Sequence, residues 1–283
     1  MKLGIVADEI DRDIRTAVKI GGTLGLRRYE IRNLPSGRVP LCDPAELREV
    51  EEVMRQAEAG ITAISPGLFK LTETARDFRI QMADLYPRAA ELAHRWGLPG
   101  LIVFGFHKPG ATEANAAAID GTNPPREVID CLAEAAERAG RDSLFLMLEP
   151  EPICWAENAR STAALIRRIG SPYLKINYDP GNDAWLLNRD PIGDLDAAAP
   201  FIANVHIKDL RPLTQGAGHP EWVPAGEGMI DYRSHFERLR ASGFDGSYSL
   251  EPHLDGKPET IRRCKEAVER AWLAGGSSHS GTV

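Results

Sequence analysis

Residues 174–209 read LKINYDPGNDAWLLNRDPIGDLDAAAPFIANVHIKD, and the two ends of this stretch decide the fold. Leu174–Asp179 and Ile202–His206 are short runs of strand length separated by a longer segment. In the first run Leu174, Ile176 and Tyr178 share one phase, and Lys175, Asn177 and Asp179 share the other. In the second, Val205 and Ile207 oppose Asn204, His206 and Lys208. Outward from here the same unit recurs. Further candidate strands are Leu3–Ala7, Arg27–Ile31, Ile61–Ser65, Gly100–Phe104, Leu144–Glu149 and Ser247–Glu251. Helical patterns lie between the strands, clearest at Pro44–Ala59, Asp77–Trp96, Arg126–Ala139, Ser161–Ile169, Tyr232–Ser242 and Pro258–Leu273. Gly25, Gly60, Gly97, Gly140, Gly170 and Gly243 stand where a helix should stop before the next strand.

Eight strands in 283 residues is about 35 residues per unit, the spacing of an α/β protein built as a single (β/α)8 TIM barrel. An open doubly wound sheet is the competitor, but no GxGxxG or GxxxxGK[ST] follows the first strand. The barrel is expected over residues 1–274. The polar stretch GGSSHSGTV, 275–283, reads as a disordered tail. Loops Phe106–Asn123 and Leu210–Ile230, rich in Gly and Pro, follow the fourth and seventh strands and belong on the C-terminal face.

Composition narrows the partners. Lys and Arg number 34 and Asp and Glu 41, a net charge of −7, which works against a nucleic-acid partner bound by phosphate neutralisation. The longest uncharged apolar run, Trp96–Phe106, is too short to span a bilayer and contains Pro99, so no membrane association is expected. Met1–Ala7 reads as a strand rather than a secretory signal. Four cysteines without CxxC spacing read as reduced thiols in the cytoplasm.

The chemistry lies at the strand ends. Alternate side chains of a barrel strand point inward. By that phase the fifth to eighth strands end in an inward Glu149, Asp179, His206 and Glu251. A single acid there is ordinarily a helix N-cap, and Asp179 before Pro180 and Gly181 suits a turn. Four such groups on successive strands in one phase are a different matter. Three converging carboxylates repel one another and resist desolvation unless a cation neutralises them. Three oxygens and an imidazole suit one divalent cation, Mn²⁺, Mg²⁺ or Co²⁺ ahead of Zn²⁺.

The strings LEPEP (148–152), NYDPGN (177–182), NVHIKD (204–209), AGEGMIDY (225–232) and SLEPH (249–253) resemble the xylose-isomerase-like TIM barrel superfamily, related to apurinic endonuclease family 2. The resemblance covers essentially the whole chain. It implies a metal held by Glu149, Asp179, His206 and Glu251, with Glu149 and Glu251 doubling as the acid/base pair. It also implies a small carbohydrate substrate and leaves room for a homo-oligomer. The endonuclease branch carries a histidine where Asn182 stands and a later Asp-x-His pair that is missing here. Ketohexose epimerases carry a Glu where Trp155 stands.

Substrate contacts are expected from Glu30, His107, Trp155, Asn182, Lys208 and Arg211. Most have a plainer alternative. Glu30 shares its phase with Arg28 and Arg32, so it reaches a sugar hydroxyl or pairs with an arginine. Lys208 binds a substrate oxygen or pairs with a carboxylate. His107 lines the pocket or caps a loop. Trp155, with Trp185, walls a sugar ring or belongs to the loop core. Arg211 begins the long seventh loop and is placed to clamp a carboxylate or phosphate. Gly226 and Gly228 suit turns rather than phosphate binding, because no helix-opening Lys-Ser/Thr follows. The expected function is a metal-dependent sugar isomerase or epimerase working through an enediolate-type proton transfer. An inosose-type dehydratase (a lyase) shares that first step, and a non-catalytic carbohydrate-binding barrel is the alternative from another class.

Overall fold

Eight parallel strands form the frame: β1 (Leu3–Val6), β2 (Arg28–Ile31), β3 (Gly60–Ile64), β4 (Gly100–Phe104), β5 (Phe145–Glu149), β6 (Leu174–Tyr178), β7 (Ile202–Ile207) and β8 (Ser247–Leu250). The structure, a computed structural model, describes residues 1–213 and 219–276. Across the sheet the order is β3-β2-β1-β8-β7-β6-β5-β4. β1 pairs with β8, Leu3 opposite Tyr248, so the first and last strands join, and the edges β3 and β4 lie side by side to bring the barrel round. The eight expected strands are all present, with ends moved by at most one residue. Register sets the strand ends level: Ser249 lies opposite His206, and Phe104 opposite Glu149.

Ten helices among the described residues cover the outside: α1 (Ile14–Thr23), α2 (Pro44–Gln56), α3 (Ala75–Ala83), α4 (Leu85–Arg95), α5 (Arg126–Arg141), α6 (Ala159–Ile169), α7 (Pro180–Leu187), α8 (Ile192–Ala198), α9 (Tyr232–Ala241) and α10 (Pro258–Gly276). The main core lies between the strands and this layer, with Ile5, Val103, Leu148, Ile176, Val205 and Leu250 on the outward phase. A small separate plug of Ala63, Ile102 and Met147 fills the barrel interior. Above that plug the inward positions turn polar.

Four expectations are corrected. Asp77–Trp96 is two helices, broken at Asp84. Pro87 lacks the N–H that would bond back to Ala83, so one helix cannot run through. Gly140 lies inside α5 rather than ending it, where a Cβ would strike the Tyr173 ring. Gly60 opens β3 rather than stopping a helix; α2 has already ended at Gln56. At the C-terminus α10 continues through Gly275 and Gly276, so the helix enters the stretch read as tail; residues 277–283 lie outside the described residues, as do 214–218 of the seventh loop. No described helix is long and apolar enough to cross a membrane, and all four cysteines are buried free thiols.

Candidate metal and substrate site

The barrel mouth is built in tiers. Asn177, Asn204 and Glu30 form the lower tier, all inward and buried. Asn204 Nδ2 donates to Asn177 Oδ1 at 2.8 Å, and Asn177 Nδ2 donates upward to Glu149 Oε2 at 3.2 Å. The upper tier is the expected quartet. Glu149, Asp179, His206 and Glu251 are all buried, and one ligand atom from each lies within 4.8 Å of the other three. His206 Nδ1 faces the three carboxylates, 3.0 Å from Glu251 Oε2 and 3.8 Å from both Glu149 Oε2 and Asp179 Oδ2. Donors at about 2.1 Å from a shared ion sit roughly 3–4 Å apart, so this spacing suits a divalent cation.

Asp179 serves two purposes. Its Oδ1 caps α7 by accepting from Asn182 N–H at 3.0 Å, the turn role that Pro180 suggests. Its Oδ2 is buried and accepts no directed hydrogen bond, although Lys208 Nζ lies 2.7 Å away. That ammonium pairs with it by charge, and the same oxygen stands 3.8 Å from His206 Nδ1 in the cluster. The donor set and this oxygen together fit a hard cation.

The charges confirm crowding. Burial pushes Glu149 up to about 7, His206 and Lys208 oppose that, and Glu251 and Asp179 add to it. Burial acts against the His206 imidazolium, yet Glu30, Glu251 and Glu149 hold its pKa well above the usual value. Burial likewise acts against the Glu251 carboxylate, but Lys208, His206 and His253 keep it far below the carboxylate range.

Glu30 and Lys208 are resolved. Glu30 is fully buried and does not pair with an arginine; its carboxylate meets His206 Nε2 at 3.0 Å. Arg28, the first residue of β2, is exposed. The pair is a carboxylate–imidazole dyad that turns Nδ1 to the cluster. Lys208 sits between Asp179 and Glu251, 2.7 and 3.0 Å away, the ion-pair alternative.

Above the tiers opens a cleft of about 540 Å³, a size suited to a small metabolite. Glu30, Asn182 and Lys208 line it, as does Trp185. The side chain of Asn182 donates to Pro150 O at 2.9 Å. Three expected contacts are absent from its lining. His107 Nδ1 meets Glu73 at 3.0 Å, the loop-capping alternative. Trp155 packs against the core. Arg211 is exposed and pairs with Glu221. The aromatic wall is instead Trp185 edge-on to Trp222, with His253 beyond. The two long loops meet over the mouth, Glu113 of the fourth facing His219 of the seventh at 3.2 Å.

Sequence phase missed several cleft residues. Arg32 leaves the end of β2 and is held by Asp8, Glu9 and Glu251. Lys70 pairs with Glu151 at 2.9 Å and lies over the Phe104 ring. The string LEPEP carried the signal for Glu151, and strand phase read Arg32 only as a possible partner of Glu30; Arg38, on a two-residue hairpin strand, and Lys70, in a turn, lie where no strand period can be read.

Fold and site define a (β/α)8 barrel with a carboxylate–imidazole cluster in its C-terminal mouth. The chain belongs to the xylose isomerase-like TIM barrel family, whose model matches residues 23–273. It is 28% identical over 159 residues to the L-ribulose-5-phosphate 3-epimerase UlaE of Shigella sonnei, covering 56% of this chain and 53% of that one. Matches to such curated relatives span about half to two thirds of their length. Among solved structures it is similar to the IOLI protein with a bound zinc atom, at a TM-score of 0.76 and 17% identity, covering 98% of this chain and 100% of that one. It is also similar to a xylose isomerase-like TIM barrel protein from Mycobacterium smegmatis in complex with magnesium, at a TM-score of 0.68 and 16% identity, covering 92% and 88%. At those identities the likeness is one of fold.

Proposed function

We propose that this protein is a divalent-metal-dependent sugar isomerase or epimerase whose ion is held by Glu149, Asp179, His206 and Glu251. One observation carries the reading: four buried donors from four successive strands converge within 4.8 Å, one of them, on Asp179, an oxygen without a directed partner. Family membership and the epimerase relative support it. The cluster suits Mn²⁺, Mg²⁺ or Co²⁺, whose taste for oxygen matches three carboxylates.

When bound, such a cation supplies Lewis-acid polarisation of a carbonyl. The chain does the rest. Glu30 fixes the His206 ring, so the ligating nitrogen is set before substrate arrives. A carboxylate oxygen of Glu149 or Glu251 takes a carbon-bound proton, and the other carboxyl returns one at the same or a neighbouring carbon. Lys208 and Arg32 keep Glu251 ionised between turnovers. Trp185 and Trp222 offer an apolar face to the ring carbons. Dehydration shares the first proton removal and differs only in what leaves afterwards.

The test is proton–deuterium exchange into a panel of ketoses and inososes by Mn²⁺-loaded protein. Exchange is expected in the wild type and lost in Glu251→Gln with Mn²⁺ still bound. A wild type that binds Mn²⁺ and ketoses but exchanges no carbon-bound proton would be a carbohydrate-binding barrel instead.

A further inference from the structure

Every cation on the cleft wall has a carboxylate beside it except Arg38. Arg32 is held by three acids, Lys70 by Glu151, and Lys208 by Asp179 and Glu251. The histidines are matched too, His253 with Glu9 and His219 with Glu113. Arg38 lies on the short hairpin Asn33–Leu34/Gly37–Arg38 after β2 and is half-buried in the cleft wall. Its Nε donates to Ser65 O and its Nη2 to Ser65 Oγ, both at 2.7 Å. No carboxylate lies within ion-pairing distance among the described residues, and Nη1 has no partner there. Burial and repulsion from Arg32 push its pKa down, against the attraction of Glu149, Asp8 and Glu251, none of which is close enough to pair with it.

The orientation is built in. Arg38 lies across the loop Ser65-Pro66-Gly67. Gly67 has φ +81°, and a Cβ there would come 3.2 Å from Arg38 Nε. Glycine at 67 therefore lets the guanidinium lie flat against the loop while Ser65 takes two of its nitrogens. What remains is the Nη1 edge of the fork. A guanidinium fixed this way matches the paired oxygens of a carboxylate or phosphate. Leaving a partly buried charge without a partner is costly, and a ligand oxyanion removes that cost.

We infer that the substrate carries an oxyanionic group, a phosphate ester or a carboxylate, which docks on Arg38 while its polyol end lies toward the Glu149–His206 cluster. This rests on the functional reading above for the substrate being a sugar, but not for the anion. The experiment is calorimetric binding of two matched pairs, ribitol against ribitol 5-phosphate and sorbitol against gluconate. It uses wild type, Arg38→Gln and Arg38→Lys, each Mn²⁺-loaded and each EDTA-treated. In the wild type one anion is expected to bind at least about tenfold tighter than its neutral partner, the yield of one added charged hydrogen bond. Arg38→Gln should bring that ratio to about one, and Arg38→Lys should leave part of it, because an ammonium keeps charge but not the fork. The pair showing the preference tells a sugar phosphate from a sugar acid. Ratios near one for both pairs in the wild type would overturn the inference. So would a preference that survives in Arg38→Gln, since the anion would then sit on the metal or another cation. Mn²⁺ titration of the same variants reports folding and the metal site separately. A failed metal site shows there, while the EDTA-treated arm still measures the anion preference.

Discussion

Glu30 illustrates what a single buried carboxylate does when water cannot reach it. Its one strong partner is His206 Nε2 at 3.0 Å, with Asn204 Nδ2 more distant at 3.4 Å. Glu30→Gln keeps the shape but removes the charge that fixes the ring, and outer partners of this kind are worth about 10–100-fold in metal affinity. Mn²⁺ titration of Glu30→Gln should show a loss in that range, and a Kd within about twofold of wild type would reduce Glu30 to packing. Proton competition gives a second expectation. Glu149 titrates near 7 and His206 is held protonated well above its usual value. An ion needs the first ionised and the second neutral, so binding expels protons and affinity must rise with pH. Between pH 6 and 8 the Mn²⁺ Kd should tighten by about tenfold per unit for each proton released. Calorimetry in buffers of different ionisation enthalpy counts those protons; an affinity flat across that range would contradict the protonated cluster. Sequence phase found the quartet because each member sits on or one residue beyond a regular strand. Arg38 escaped it because its direction comes from a hairpin and the Ser65 loop, which no two-residue period describes.

At the scale of elements, the strings NVHIKD and GEGMID become one device. Asp209 is fully buried and accepts backbone N–H bonds from Leu210, Gly226, Gly228 and Ile230 at 2.9–3.2 Å. The far end of the seventh loop is thereby tied to the strand that bears His206. A Cβ at Gly228 would lie 2.1 Å from Asp209 Oδ1, so glycine is required for the close approach. Asp209→Ala would strand several buried donors, and a loss of about 3 kcal/mol in urea unfolding is expected. Unchanged stability would mean that water replaces the carboxylate. Helices show where sequence reading ran short. α7 is buried along Pro180–Trp185, so it lacks the polar face that makes a helical period visible. The break at Asp84 was legible in Pro87, whose missing N–H outranks the periodicity on either side. α5 and α6, amphipathic and open to solvent on one face, were readable to within two residues at their starts and ends.

For the whole molecule, the regular return of a strand about every 35 residues specified the barrel, since each βα unit covers its own strand and hands the chain to the next. What spacing could not supply is the closure, in which β1 pairs with β8 while β3 and β4 remain the two sheet edges. The cluster bears on that architecture. Its four members come from the ends of β5, β6, β7 and β8, or the residues just beyond, and three are carboxylates buried together in a chain of net charge −7. Without a divalent cation their repulsion is held down by Lys208, Arg32 and the proton on His206. A bound ion replaces that arrangement with direct ligation across four strands, and because the unfolded chain offers no such site, binding energy becomes folding energy. At about 100 times Kd the stabilisation is about 2.7 kcal/mol, which for a chain of this size raises Tm by roughly 5 °C. The comparison is thermal unfolding in EDTA and in saturating Mn²⁺, repeated for His206→Ala, which removes one ligand from the centre of the cluster. The shift should shrink to about 1 °C in that variant at the same free Mn²⁺, since affinity falls below the working concentration. An equal shift in wild type and His206→Ala would locate the stabilising ion elsewhere on the molecule and leave the quartet as a buried ion-pair network around Lys208.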